Sequence, residues 1–255
     1  MILRRQVTLG IAALQFLTRL PAPRLVDFQP DWVTRSARYF PLVGQLVGAI
    51  AALAWLGGSQ LWSPPVASLL ALAAGLLATG ALHEDGLADS ADCLFGGATP
   101  ARAIEIMKDS RIGAYGVLAL VVILGLKAAA LASLAPLTGA LALIAAHGIG
   151  RAAAVAAMRA TPYAPEGRPT RWTPTEGGVR TGELLVAVAI ATWPLALLAP
   201  AAALAGLVGA VLGGSALAAF AQRRLGGHTG DVLGAVEQLA ETGFLLGVTA
   251  AVRCA

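Results

Sequence analysis

Residues 83–97 read HEDGLADSADCLFGG and crowd His83, Glu84, Asp85, Asp89 and Asp92 together in a chain that is 57% hydrophobic and only 13% charged. On a helix, Asp85, Asp89 and Asp92 stand at i, i+4 and i+7, about 40° and 20° apart around the axis, so the three carboxylates share a face. Like charges placed this way repel unless something positive sits among them, and a divalent cation is the economical answer. All-oxygen ligation suits Mg²⁺, Mn²⁺ or Ca²⁺ rather than zinc. Mg²⁺ in particular combines one or two carboxylates with water and the phosphate oxygens of a substrate. Gly86 and Ala88 leave the helix surface open to a bulky ligand, while Glu84 is turned about 100° from Asp85 and belongs at most outside the inner ligand set. The plainer reading is a solvated acidic helix end.

Two more stretches carry chemistry-bearing residues. In residues 105–113, EIMKDSRIG, a helix would set Lys108 beside Arg111 at i, i+3 and Glu105 beside Asp109 at i, i+4. A cationic pair about 20 residues after a metal cluster, on the same side of a membrane, is what a phosphate or diphosphate would require; charges that contact lipid headgroups are the alternative. Residues 226–231, GGHTGD, are followed by Glu237 and Glu241. Their glycine amides could cradle an anion at a helix start, and Thr229 or Asp231 could equally be a simple amino-terminal cap.

The elements that hold these residues are apolar. A mean hydropathy of +0.75 with half the usual charge content places the chain among integral membrane proteins, and its 255 residues read as a single membrane domain. Crossings are expected at 36–57, 64–83, 113–134, 137–158, 184–200 and 202–221, with a last helix beginning near Asp231: an all-α polytopic bundle of about six to seven segments. No charge occurs in residues 184–222, 39 residues in all. One helix of that length would reach roughly 58 Å, nearly twice the hydrocarbon thickness, so the stretch must turn, most naturally at Pro200. Small residues such as those of 206–214 suit close helix packing. Residues 7–17, basic at both flanks and lacking a small-residue cleavage pattern, predict a helix lying in the membrane interface.

With six crossings, all 14 carboxylates and most Lys and Arg fall on one side, which the positive-inside rule makes cytoplasmic. Lys127, His147 and Arg151 instead lie within crossings. Ionisable groups at that depth pair or line a polar cavity; for Lys127 snorkelling is the alternative, and His147 could be a packing residue. Cys93 and Cys254 fall on opposite sides and cannot pair. The net charge of +4 comes from scattered basic residues and does not suggest nucleic acid.

The stretches LQFLTRLPAP, FPLVGQLVG, HEDGLADSADC, EIMKDSRIGAYG and GGHTGDVLGAVEQLAE, in this order over residues 14–245, resemble the cobalamin synthase family, the adenosylcobinamide-GDP ribazoletransferases. The resemblance implies a Mg²⁺-dependent enzyme of the bacterial inner membrane, active on the cytoplasmic side. It would join adenosylcobinamide-GDP to alpha-ribazole or its 5'-phosphate and release GMP. By the same resemblance Asp85, Asp89 and Asp92 hold the metal. Lys108, Asp109, Ser110, Arg111, Thr229 and Glu237 bind substrate by that resemblance; from the residues themselves, Arg151 could reach the same site from within the bundle, and a carboxylate not committed to metal, Asp92 or Asp231, is expected to accept the proton. A homo-oligomer and contacts with other cobalamin-pathway enzymes are compatible with it. Cys93 stands where the family pattern has glycine.

Two other readings stay open. The DGLAD core also resembles CDP-alcohol phosphatidyltransferases, although those have Arg where Asp89 follows Ala88. A cation-coupled transporter would use the aspartates as a binding ring and Lys127 as a relay, but transporters place such sites near the bilayer midplane rather than at one surface.

Overall fold

The computed structural model describes residues 2–25, 29, 31–97, 99–107, 109, 111–164 and 177–254, which form an all-helical membrane bundle. In chain order the helices are α1 (Ile2–Leu17), α2 (Trp32–Ser36), α3 (Phe40–Leu61), α4 (Pro64–Thr79), α5 (Leu82–Gly96) and α6 (Pro100–Met107). They continue with α7 (Ala114–Ala132), α8 (Pro136–Ala160), α9 (Thr181–Thr192), α10 (Pro200–Leu225) and α11 (Gly230–Arg253). Four stretches among the described residues are long and apolar enough to cross a membrane: Trp32–Leu61, Ala114–Ala132, Pro136–Ala160 and Pro200–Leu225. The pair α4 and α5 makes a fifth if counted as one bent span.

Prolines open the spans as their chemistry dictates. Pro64, Pro136 and Pro200 occupy first-turn positions, where the missing N–H costs nothing. The long uncharged run does turn next to Pro200, after a short 3₁₀ segment at Trp193–Leu197.

Two expectations need correction. The crossing expected at 64–83 ends earlier, because Gly80 (φ +67°) and Ala81 (φ +57°) are both left-handed and set α4 and α5 at 93° to one another. Both amides donate to Leu76 O, which terminates α4. A left-handed alanine costs about 1–2 kcal/mol, so surrounding contacts must hold this bend. Second, not all of the carboxylates stand at one membrane surface, although the last helix does begin next to Asp231 as expected. α11 starts at Gly230 and carries Glu237 and Glu241 inside the bundle, 0% and 1% exposed.

α11 is the central element, packed against α5, α7, α8 and α10. Its approach to α10 runs through glycine: a side chain at Gly243 would collide with the Gly209 carbonyl, and one at Gly247 with that of Ala205. α8 is held the same way between α3 and α11. A Cβ on Gly48 would stand 2.7 Å from Leu143 O, and one on Gly150 would stand 2.7 Å from Glu241 Cγ. Small residues thus do the packing work the composition suggests. Outside this core, buried Glu183 of α9 accepts from Arg35 Nη1 (2.9 Å), Arg38 Nη2 (2.8 Å) and the Arg180 amide (2.8 Å), which ties α9 to the segment leading into α3.

Gly48→Val should therefore separate α3 from α8 and cost about 1–3 kcal/mol. Gly125→Ala, with nothing within 4 Å of its added carbon, should be neutral or slightly stabilising. Thermal unfolding in detergent compares the two; an equal loss for both would contradict this packing.

Candidate active site

A cavity of about 660 Å³ opens where the end of α1, the α4–α5 bend, α8 and the start of α11 meet. Asp85 and Asp89 reach it from successive turns of α5, Asp231 and Glu237 from α11, Arg151 from α8, and Arg19 from the segment after α1. The bend at Gly80–Ala81 brings the amino-terminal end of α5 to this cavity, and Gly230 and Asp231 bring that of α11. Two helix starts with their partial positive charge thus converge on one space. The two helices touch almost backbone to backbone. A Cβ on Gly86 would lie 2.7 Å from Asp231 O, and one on Gly234 would lie 3.2 Å from His83 O. Asp85 is exposed to the cavity, and its carboxylate makes no hydrogen bond or ion pair within the described residues.

Behind the cavity lies a buried ionic network. Arg151 Nη1 donates to Glu237 Oε1 (2.6 Å), Glu241 Oε1 (2.9 Å) and His147 O (3.0 Å). Lys127 Nζ donates to Glu241 Oε2 (2.6 Å) and Gln238 Oε1 (2.8 Å). Gln238 Nε2 in turn donates to Glu84 Oε1 (2.8 Å) and Glu237 Oε2 (3.0 Å). Lys127 does not snorkel, and His147 lies 2.7 Å from Glu241 Oε1. The ligand atoms of His147, Glu237 and Glu241 lie within 4.8 Å of one another, as a metal would need. Arg151 Nη1 already sits within 3.2 Å of all three, however, so a guanidinium takes the cation's place. Arg151 Nε is buried without a hydrogen-bond partner among the described residues, although the side chain lines the cavity. A donor is left for a ligand.

The other residues singled out from sequence are distributed as follows. Asp92 lies apart from the cavity wall. Its Oδ2 accepts from the Gly113 amide (2.7 Å) and its Oδ1 from the Gly116 amide (2.9 Å), so it caps α7. The helical reading of residues 105–113 gives way because α6 ends at Met107. Asp109 then folds onto Arg111, accepting its backbone N–H (3.1 Å) and its Nη2 (2.7 Å), and those bonds hold the Asp109 carboxyl down at about 2. Glu105 pairs with Arg102 rather than standing against Asp109. Lys108 and Ser110 lie outside the described residues. Thr229 is the cap of α11, its Oγ1 accepting from the Val232 amide (3.2 Å). The Gly226 and His228 amides are spent inside the protein, on Gln222 O and Pro162 O. Gly226 closes α10 at φ +80°, and a side chain on Gly227 would strike Pro162 O, which accepts the His228 amide at 2.9 Å. His228 is buried, and desolvation pushes its imidazole below the usual range. Cys93 is buried in the core and Cys254 exposed, both free.

The description "Cobalamin-5-phosphate synthase" belongs to the family model that matches residues 10–249. The chain belongs to this family. A Leptothrix cholodnii relative named adenosylcobinamide-GDP ribazoletransferase is 44% identical over 97% of both chains. One of the same name from Bradyrhizobium diazoefficiens is 45% identical over 93% of this chain and 91% of its own. A third, from Shewanella piezotolerans, is 39% identical over 93% of each. No solved structure matches the chain. In this cobalamin-5-phosphate synthase family member the matched span includes every acidic and basic residue of the cavity wall. Two polar residues of the site escaped the sequence reading. Arg19 reads as a flanking charge, and Gln238 as one of many helix polar residues; its i+1 position between Glu237 and Glu241 was the available signal.

Lys127→Met should leave Glu241 short of one cation and cost about 3 kcal/mol, and Lys127→Met with Glu241→Gln should recover part of the loss. Unfolding in detergent reads both; a double variant no better than the single one would mean that the two residues do not act as a pair.

Proposed function

We propose that the chain is an adenosylcobinamide-GDP ribazoletransferase, which transfers the cobinamide phosphoryl group to a ribazole hydroxyl and releases GMP. The observation that carries it, beyond the family, is the cavity in which Asp85, Asp89 and Asp231 face Arg19 and Arg151. Carboxylates beside cations suit a Mg²⁺-diphosphate better than either charge alone would.

The residues present fit Mg²⁺: Asp85, Asp89 and Asp231 bring carboxylate oxygens to this wall, and among the described residues the Asp85 carboxylate makes no hydrogen bond or ion pair. Asp85 and Asp89 would hold the ion, with Asp231, which lines the same cavity from α11, as a third carboxylate. When bound, Mg²⁺ would neutralise charge building on the diphosphate oxygens. The chain's own groups do the rest. Arg151, which borders the cavity, would offer its guanidinium to the diphosphate while Glu237 and Glu241 hold its Nη1. The ribazole hydroxyl oxygen forms a bond to the phosphorus that bears cobinamide, and the bond from that phosphorus to the bridging oxygen breaks, so that GMP departs with the electron pair. The hydroxyl proton passes to a carboxylate. Asp231 is the candidate, because both Asp92 oxygens are taken by α7 amides. The single-sided distribution of charge supports a cavity open to the cytoplasm.

GMP release by the detergent-solubilised protein, given adenosylcobinamide-GDP, alpha-ribazole and Mg²⁺, tests this reading. Asp85→Asn and Asp231→Asn should each lower turnover about 100-fold or more. Asp92→Asn should retain Mg²⁺-dependent turnover and lose about 1–3 kcal/mol of stability instead. A well-folded parent that releases no GMP with either ribazole form would overturn the assignment.

A further inference from the structure

The segment LQFLTRLPAP contributes to the cavity, and in the reaction above its Arg19 supplies only positive charge to the wall, with no contact assigned to it. Residues Gln15 to Arg19 line the cavity together with Asp85 and Asp89 of α5. Arg19 is anchored by its backbone, whose N–H donates to Ala78 O (2.8 Å), one residue before the end of α4. Its side chain then lies across the bend. A Cβ on Gly80 would stand 2.6 Å from Arg19 Nε and 2.9 Å from its Cγ, so only glycine, already required by φ +67°, leaves the guanidinium this path. Within the described residues that guanidinium makes no hydrogen bond or ion pair. Some arginines elsewhere are committed, Arg35 and Arg38 to Glu183, Arg111 to Asp109, and Arg224 to the carbonyls of Leu94 and Gly97, while the exposed Arg4, Arg24, Arg159, Arg223 and Arg253 do not line this cavity.

An arginine held in position by its stem, beside three aspartates and without a carboxylate partner, has its hydrogen-bonding fork available for a bound ligand. Arg151 lines another wall of the same cavity from α8, and its Nε is buried without a hydrogen-bond partner among the described residues. We propose that Arg19 is a substrate-binding residue, gripping the diphosphate of the nucleotide-activated substrate together with Arg151. This rests on the transferase reading above for the identity of the substrate. The bend at Gly80–Ala81 then serves two ends at once, because it aims the start of α5 into the cavity and gives Arg19 its track.

The experiment measures the KM of both substrates in Arg19→Ala, Arg19→Lys and Arg24→Ala. Arg24 is an exposed cation five residues further on that does not line the cavity. The KM for adenosylcobinamide-GDP should rise by about tenfold or more in Arg19→Ala and by less in Arg19→Lys, which keeps the charge but loses the fork. The KM for alpha-ribazole should move by less than about twofold, and Arg24→Ala should match the parent. An unchanged KM in Arg19→Ala, an equal rise for both substrates, or an equal rise in Arg24→Ala would overturn the proposal. Should the parent release no GMP, the transferase reading falls separately. Calorimetric titration of Mg²⁺-GDP into the solubilised protein still reads Arg19: binding weakened in Arg19→Ala but not in Arg24→Ala supports the grip, and equal binding refutes it.

Discussion

A charge at membrane depth costs several kcal/mol unless it is paired, and this bundle holds Lys127 and Arg151 there together with Glu237 and Glu241. The only economical arrangement is mutual. Lys127 belongs to α7, Arg151 to α8 and both glutamates to α11, so pairing them fixes three helices around one point. Gln238 extends the tie to Glu84 and therefore to α5. This explains why α11, too polar to pass as a crossing by hydropathy, is nevertheless the helix that the others surround. Its polar face needs partners that only its neighbours supply.

Once α11 is fixed, the cavity follows. Gly86 and Gly234 let α5 and α11 meet at backbone distance, and that contact sets Asp231 against the helix of Asp85 and Asp89. The left-handed alanine at the bend is strained locally, and the α5–α11 contact supplies a compensating hold from outside the turn. Arg151 joins the two regions. Its Nη1 is locked among carboxylates in the bundle, its Nε has no hydrogen-bond partner among the described residues, and the side chain borders the cavity. Because its charge is already neutralised, the protein can keep this donor in place before any substrate arrives. Such preorganisation is what transition-state stabilisation requires.

Much of this was legible in the sequence where the relevant physics is local. Helical period placed Asp85 and Asp89 on one face, the length of the uncharged run demanded a turn at Pro200, and depth alone marked Lys127 and Arg151 as needing partners. The partners themselves were not legible, because Lys127 and Glu241 are 114 residues apart in the chain and nothing in either neighbourhood names the other. The bend at Gly80 was missed for a related reason. A glycine followed by an apolar residue inside a hydrophobic run reads as continuous helix, and the left-handed alanine that completes the turn has no compositional signal.

Asp92 shows where periodicity stops being sufficient. Its position beside Asp89 is what the spacing predicts, but a helical face is broad, and what each carboxylate meets depends on the neighbouring element. At Asp92 that element is the start of α7, whose Gly113 and Gly116 lack the side chains that would keep a carboxylate away. Four amides at a helix start need acceptors, and a carboxylate already in contact satisfies two of them. The acidic stretch is therefore divided between two tasks, Asp85 and Asp89 facing the cavity and Asp92 fastening α7. That second task bears on the first. α7 carries Lys127, so the register in which Asp92 seats this helix decides where Lys127 meets Glu241, and Glu241 is one of the two carboxylates that hold Arg151 at the cavity wall.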